Sequence, residues 1–253
     1  GDRRGVLVLH GFTGEPSSMR HLAEQIAFEG YSVELPRLPG HGTSPEDMAT
    51  TTWADWSGTA LAAYDDLAAR CDKVAVVGLS MGGALTAYVA ARRPTAANVF
   101  INALVKPMTQ EMVDGLAALL EAGETMLPSI GSDIKKEDTI EKAYDATPLA
   151  AAASLFAALP DVHAGLSNIE SPSLIFVSNE DHTVTPDNGD EIVRQVQGPT
   201  EIVHYDNSYH VLTLDNDAPD MERRTVEFLR SVLPACGAVR CGSRLTRPKP
   251  IRW

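Results

Sequence analysis

The chain has 253 residues, of which 44% are hydrophobic and 22% charged, and this composition predicts an ordinary globular protein. Its formal charge of −13 disfavours nucleic acid as a partner, because phosphates repel an acidic surface. No run approaches the roughly 18 consecutive apolar residues that a membrane-spanning helix needs, and no signal-peptide pattern is visible.

Short apolar strands alternate with amphipathic helices along most of the chain. The strands are predicted over residues 6–9, 32–35, 74–77, 99–101, 174–177 and 202–205. Helices are predicted from Ser17 or Ser18 up to Gly30, and over residues 55–70, 81–93, 187–197 and 219–233. Most of the strands are almost continuously apolar, as expected when both faces are buried. The alternation predicts an α/β fold with a mostly parallel, doubly wound sheet.

The loop HGFTG, residues 10–14, directly follows the first predicted strand. Backbone N–H groups in such a loop can stabilise the negative charge of a tetrahedral intermediate, because they are already oriented. We expect the amide of Phe12 to be one donor of this oxyanion hole, and that of Met81 the other. An ordinary strand-to-helix turn would explain the glycines of the loop, but not their pairing with the next motif.

That motif, GLSMG at residues 78–82, lies between a predicted strand and a predicted helix. A sharp strand-to-helix turn exposes a serine hydroxyl above the edge of the sheet, and flanking glycines give the crowded turn room. Ser80 is therefore the candidate nucleophile, to be activated by a neighbouring base. The alternative is a glycine-rich turn that only packs a helix tightly against the sheet.

The segment 103–166 interrupts the alternation, because it shows helical patterns and no convincing strand. An insertion of this length is either a cap over the site or a misread pair of βα units, and we favour the cap. The predicted core then comprises residues 1–102 and 167–234.

The loop after the strand at 174–177 contains two candidate acids, Glu180 and Asp181. The chain order of nucleophile, acid and histidine places the acid here. Only one of the two can face the histidine, since successive residues point in different directions. We choose Asp181, with support from the resemblance described below. Its role would be to fix the tautomer of the imidazole and stabilise the imidazolium.

His210 is the candidate base among seven histidines. It lies in the loop after the last predicted strand, where an open α/β sheet gathers its catalytic groups. A surface loop histidine is the alternative reading of this residue. The other six are less suited by position: His10, His21, His41, His163, His182 and His204.

Residues 235–253 are interpreted as a basic extension and not as a DNA-binding arm. Part of this extension could derive from the cloning vector. The cysteines, Cys71, Cys236 and Cys241, make no disulfide framework in a chain of this length, although a Cys236–Cys241 pair is conceivable. No Cys/His cluster has the spacing of a zinc site, so we predict no metal and no cofactor.

With these motifs the chain resembles the bacterial monoacylglycerol lipases and the related small carboxylesterases of Bacillus type. The resemblance covers most of residues 5–233. The segments that carry it are LVLHGFTG, ELPRLPGHGTSPEDM, VVGLSMGG, SIGSD, LIFVSNEDHTVTP and NSYHVLTLD.

The resemblance implies the α/β-hydrolase fold with an inserted helical cap at residues 103–166. It also implies that Ser80, Asp181 and His210 form the catalytic triad and that the amides of Phe12 and Met81 form the oxyanion hole. On the resemblance alone, Ile130 and Glu141 shape the substrate pocket, with Glu141 near the glycerol hydroxyls.

The expected reaction is hydrolysis of a carboxylic ester through an acyl-enzyme, with monoacylglycerol as the preferred substrate. The rivals are a short-chain carboxylesterase and a non-catalytic binding protein of the same fold. We expect a small lipid ester as the ligand and transient contact of the cap with lipid aggregates or a membrane surface. A cytoplasmic location is expected, peripheral to the membrane at most; secretion stays open because a leader could have been removed.

Overall fold

A six-stranded parallel sheet forms the centre of the computed structural model, which describes residues 3–129, 131–234 and 251–252. Its strands are β1 (Arg4–Leu9), β2 (Ser32–Glu34), β3 (Lys73–Leu79), β4 (Ala97–Ile101), β7 (Ser173–Ser178) and β8 (Thr200–Tyr205). They lie in the order β2-β1-β3-β4-β7-β8, and all five pairings are parallel. The two remaining strands, β5 (Met126–Pro128) and β6 (Ala146–Pro148), form a separate antiparallel hairpin.

Helices cover both faces of the sheet. They are α1 (Arg20–Phe28), α2 (Pro45–Met48), α3 (Trp53–Ala68), α4 (Met81–Ala90), α5 (Gln110–Glu121), α6 (Leu149–Gly165), α7 (Asp187–Gln195) and α8 (Ala218–Val232). From β1 the chain first adds β2 at one edge of the sheet. It then returns to the other side of β1 and adds β3, β4, β7 and β8 in turn, so the sheet is doubly wound, as predicted.

The pleat of each strand divides the apolar residues between two cores. Leu7 and Leu9 of β1 pack in one core with α3, α4 and α6, whereas Val6 and Val8 pack in the other with α1 and α8. Strands buried on both faces need apolar residues at every position, which is why the period of two is hidden in the sequence.

All six predicted core strands are present, and each observed strand overlaps the predicted one. The helix predicted over residues 55–70 is α3, which begins two residues earlier, at Trp53. Asp55 instead completes a capping box, in which its carboxylate accepts a hydrogen bond from the Thr52 N–H at 2.8 Å.

The structure divides the segment 103–166 into an outer and an inner part. No residue of α5 is buried, and the hairpin β5–β6 stands apart from the sheet. The sequence did not predict this hairpin, since each strand has only three residues and ends in a proline. The assignment of the whole segment as a cap stays a prediction.

Helix α6 is the inner part of this segment. Together with the turn that follows it, from Leu149 to Asn168, it is long and apolar enough to cross a membrane. Its residues Leu155, Leu159 and Val162 are buried in the core that α3 and α4 share. This packing explains the large apolar residues of the helix, because they lie on the face that contacts the core.

The carboxyl ends of the strands bring the predicted site residues to one edge of the sheet. Ser80 follows β3 directly, Asp181 follows β7, and His210 lies in the loop after β8. The HGFTG loop follows β1 at the same edge. Parallel strands end on the same side, so residues far apart in sequence meet there.

Candidate active site

Ser80 occupies a strained turn between β3 and α4. Its φ of 57° and ψ of −118° lie where a residue with a Cβ is rarely found, at a cost of about 1–3 kcal/mol. Four backbone hydrogen bonds hold it: its N–H donates to Ile101 at 3.0 Å, and its carbonyl accepts from Gly83 at 2.9 Å and from Ala84 and Leu104, each at 3.2 Å. The conformation is therefore held by the end of strand β4, by the residues that follow β4 and by helix α4.

The flanking glycines allow helix α4 to approach the sheet closely. A Cβ on Gly78 would lie 2.0 Å from the carbonyl oxygen of Gly82, and one on Gly82 would lie 2.2 Å from that of Leu9. Both contacts are with backbone atoms, which cannot move aside. The motif GLSMG thus needs glycine for space, whereas the positive φ belongs to Ser80 itself.

The HGFTG loop lies against this turn. A Cβ on Gly11 would be 3.4 Å from the Cβ of Ser80. The Nε2 atom of His10 accepts a hydrogen bond from the Leu38 N–H at 3.2 Å, so its Nδ1 atom carries the proton and donates to the Gly11 carbonyl at 2.9 Å. That carbonyl belongs to the same peptide as the N–H of Phe12, so His10 fixes the direction of this predicted oxyanion donor.

The two predicted oxyanion donors are available to a ligand. In the described part of the chain, neither the Phe12 nor the Met81 amide donates to a backbone carbonyl. Both residues line the same cavity as Ser80. A substrate oxygen placed beside Ser80 could accept from both.

His10 and His41 are buried neutral groups beside this loop, with ring centroids 5.0 Å apart. Burial lowers the pKa of His10 to about 3, and repulsion by His41 in its protonated form adds to this shift. Burial likewise lowers the pKa of His41 to about 4, although nearby backbone carbonyls oppose the shift. Neither imidazole is therefore suited to accept a proton at neutral pH.

Asp181 and His210 are joined by a 2.7 Å hydrogen bond between Oδ2 and Nδ1. Only 1% of the Asp181 side chain and 9% of the His210 side chain is exposed. The other oxygen of Asp181 accepts from the N–H groups of Thr183 and Val184, each at 2.8 Å. Glu180 instead is paired with Lys135, so of the two candidate acids it is Asp181 that reaches the histidine.

His210 lines the same cavity as Ser80, and both residues are buried. Within the described residues no hydrogen bond joins the two side chains, as is common before a substrate is bound. The structure thus brings together the predicted base, the predicted orienting acid and the serine hydroxyl.

The cavity beside Ser80 has a volume of about 290 Å³ and walls that are mainly apolar. Its apolar side is formed by α6 and by the segment that leads into and begins α5, and it includes Leu104, Met108, Met112, Leu155 and Phe156. Its polar side contains Thr13, Ser129, Asp133, Glu141 and Thr147. This division suits a ligand with one apolar and one polar part.

Glu141 lies on the polar side, with Oε1 2.9 Å from the position of a Cβ on Gly14. Its role towards the glycerol hydroxyls stays a prediction from the resemblance. Burial raises the pKa of its carboxyl above the usual range, while His210 and a hydrogen bond from Ser18 lower it. Ile130, the other residue assigned by resemblance, lies outside the described residues.

Several residues that hold His210 were not singled out from the sequence. Asn102, at a φ of 41°, donates from its amide to the His210 carbonyl at 2.8 Å and accepts from the Ser178 N–H at 2.8 Å. Asp215 is buried and accepts from the Tyr209 N–H at 2.8 Å. A polar residue directly after a strand that ends at the site is the signal that could have found Asn102.

A six-stranded parallel sheet, a serine in a strained strand-to-helix turn and an Asp–His pair beside it define a serine hydrolase of the α/β-hydrolase fold. The class predicted from the motifs is thereby confirmed.

The chain belongs to the family described as "Serine aminopeptidase, S33", whose model matches residues 2–217. It is 46% identical over 229 residues to the thermostable monoacylglycerol lipase of Bacillus sp. (strain H-257), which covers 88% of this chain and 89% of that protein. It is 25% identical over 234 residues to a carboxylesterase of Bacillus subtilis (strain 168), with 92% and 94% covered. A solved structure of a metagenome-derived lipolytic enzyme matches with a TM-score of 0.85 and 44% identity, over 91% of this chain and 95% of that one. The protein is an ester hydrolase, as expected from its sequence.

Proposed function

We propose that the protein hydrolyses monoacylglycerols to a fatty acid and glycerol through an acyl-enzyme. Ser80 attacks the ester carbonyl, and His210 takes the serine proton and returns it to the leaving glycerol oxygen. The amides of Phe12 and Met81 bind the oxyanion, and Asp181 stabilises the imidazolium. A water molecule activated by His210 then releases the fatty acid and restores Ser80.

The observation that carries this proposal is the cavity that Ser80 and His210 share. Its volume of about 290 Å³ is at the low end for ligand pockets, which span roughly 300–1,000 Å³. A cavity of this size favours an ester with one acyl chain over a triacylglycerol. Its apolar side accommodates the chain, and the relative that is 46% identical is a monoacylglycerol lipase.

The polar side of the cavity supports glycerol as the leaving alcohol. The carboxyl of Glu141 can accept a hydrogen bond from a glycerol hydroxyl. Asp133 lies on the same side, and two acidic groups repel a phosphate-bearing head group. A neutral monoacylglycerol is therefore favoured over a lysophospholipid of similar size.

The test compares kcat/KM for a monoacylglycerol with kcat/KM for the corresponding diacylglycerol, triacylglycerol and short nitrophenyl esters. We expect the monoacylglycerol to be preferred. A preference for the short nitrophenyl esters would point instead to a general carboxylesterase, in keeping with the Bacillus subtilis relative.

Substitution of Glu141 by Gln tests the alcohol subsite. The change should raise KM for the monoacylglycerol and leave KM for a nitrophenyl ester of the same chain length unchanged. Glu137→Gln, an exposed position on the same segment, is the matched control. Equal effects of Glu141→Gln on both esters would remove Glu141 from the glycerol subsite.

The segment 103–166 exposes several apolar side chains, and we propose that they make transient contact with lipid aggregates. They are Met112 at 50%, Val113 at 41%, Leu120 at 36%, Leu127 at 37% and Ile140 at 80%. Met112 also lines the cavity, so at this residue the exposed apolar surface reaches the site. Exposed large apolar residues favour an apolar partner when they lie together.

Substitution of Val113 by Glu should weaken sedimentation with neutral phospholipid vesicles. Phe28→Glu is the matched control, because Phe28 is 71% exposed on α1, which packs on the opposite face of the sheet. If the two substitutions weaken binding equally, the effect is one of net charge and the proposed contact is wrong.

A further inference from the structure

Asp133 connects the inserted segment 103–166 to the histidine loop. Its side chain is 9% exposed, and its Oδ2 atom accepts from the His210 N–H at 3.2 Å and the His182 N–H at 3.1 Å. Its Oδ1 atom pairs with Nδ1 of His182 at 2.8 Å. Its own carbonyl accepts from the Val211 N–H at 3.1 Å. One residue thus binds both loops that carry the predicted acid and base.

His210 is consequently held at three points. Asp133 accepts from its backbone N–H, Asn102 donates to its backbone carbonyl at 2.8 Å, and Asp181 accepts from its ring at 2.7 Å. Asp181 alone would leave the peptide groups on either side of the histidine free to rotate. The contacts of Asp133 and Asn102 fix those groups, and hence the direction in which the ring leaves the backbone.

We infer that Asp133 is a positioning residue for His210, an inference that rests on the proposed role of His210 as the base. Proton transfer requires the base within hydrogen-bond reach of the serine, and a misplacement of about 1 Å can cost about a hundredfold in rate. Asp133 belongs to the inserted segment rather than to the core, so that segment contributes to the geometry of catalysis as well as to the walls of the cavity.

Three substitutions of Asp133 separate geometry from charge. Asn keeps an oxygen that can accept from the two N–H groups, and its amide can donate to His182. Glu keeps the charge but displaces the carboxylate by one methylene, and Ala removes both side-chain acceptors while keeping the backbone carbonyl that accepts from Val211. We expect kcat for a nitrophenyl ester to fall roughly tenfold to a hundredfold in Asp133→Ala and Asp133→Glu, and less than about threefold in Asp133→Asn.

The rate at which a fluorophosphonate probe labels Ser80 provides a second readout, because this reaction also needs the base. It should fall in parallel with kcat, while KM changes less than about twofold, since the apolar side of the cavity is untouched. Asp145→Asn is the control, because Asp145 is an exposed acid of the same segment. Thermal unfolding is measured for each variant, and rates are compared well below the lowest transition.

If Asp133→Ala shows the same labelling rate and the same kcat as the wild-type protein, the inference is wrong. If that variant does not fold, the other two decide: higher activity in Asp133→Glu than in Asp133→Asn would show that charge matters and positioning does not. Failure of the wild-type protein to react with the probe would instead contradict the proposed function, so the two failures are distinguishable.

Discussion

The neutral pair His10 and His41 predicts that the protein loses stability when the pH falls from about 8 to about 5. Both imidazoles are fully buried beside the HGFTG loop. The pKa of His10 is lowered from 6.5 to about 3, and that of His41 from 6.5 to about 4. In this pH range the unfolded chain binds protons at both residues and the folded chain does not, so the free energy of unfolding decreases as the pH falls through 6.5.

The size of the effect follows from the lowered pKa values. Between pH 6.5 and about pH 5, each imidazole costs the fold about 2 kcal/mol, and the two together about 4 kcal/mol. That is a large part of a typical stability of about 5–15 kcal/mol. Glu141 and Glu222 act in the opposite sense, because burial raises the pKa of each carboxyl and protonation favours the fold.

The assay is urea unfolding of the wild-type protein and of His41→Phe at several pH values. Phenylalanine preserves the edge contacts of His41 with Trp56, and the Pro39 carbonyl keeps its hydrogen bond from Trp56 Nε1 at 3.0 Å. Because the two glutamates are common to both proteins, the difference between the curves isolates His41. The variant should gain about 2 kcal/mol relative to the wild-type protein between pH 8 and pH 5.

Parallel stability curves would refute this reasoning, because they would mean that His41 binds its proton equally well in the folded and unfolded states.

Further predictions concern the nucleophile, the acid and the glycine turn. Ser80→Ala should abolish turnover of a nitrophenyl ester, and retained turnover would exclude Ser80 as the nucleophile. Asp181→Asn should lower kcat by a factor of about 10⁴, as loss of the orienting carboxylate does in other serine hydrolases. Glu180→Gln should change kcat less than about twofold, and equal losses in the two variants would contradict the assignment of Asp181 as the partner of His210. Gly82→Ala should destabilise the fold by about 3 kcal/mol or more, since its Cβ would lie 2.2 Å from a backbone oxygen. Gly58→Ala, in an open position of α3, should instead stabilise by about 0.5–1 kcal/mol, which urea unfolding of both variants can check.

The sequence predicts the sheet and the edge where the site lies because local signals are strong there. Apolar runs bounded by turn residues mark the six core strands, and the observed strands overlap all of them. GLSMG and HGFTG carry glycines that a close approach of backbone demands. Chain order restricts the acid to one loop, where only the structure shows that Asp181 faces His210 and Glu180 faces Lys135.

The parts that the sequence does not predict depend on contacts between distant segments. The hairpin β5–β6 pairs strands of three residues across an intervening loop, and no local pattern specifies such a short pairing. Asp133 is an ordinary polar residue in sequence, and its contact with His210, 77 residues further along the chain, appears only in the fold. Asn102 directly follows β4, which marks its place at the site, but its bond to His210, 108 residues further along, is also visible only in the fold.

The two sides of the site are held by different kinds of interaction, and this difference determines how each responds to change. On the serine side, glycines let backbone pack against backbone, so added volume is not tolerated while polarity is irrelevant. On the histidine side, Asn102 donates to a backbone carbonyl, whereas Asp133 and Asp215 accept from backbone N–H groups. Each of these positions therefore needs a side chain that keeps its donor or acceptor. The strain at Ser80 is consequently maintained by close packing that leaves no alternative conformation, whereas the direction of His210 depends on a carboxylate from the inserted segment. Movement of the residues around Asp133 would thus disturb the base, whereas the contact of the same segment with Ser80 lies at its start, where the Leu104 N–H donates to the Ser80 carbonyl.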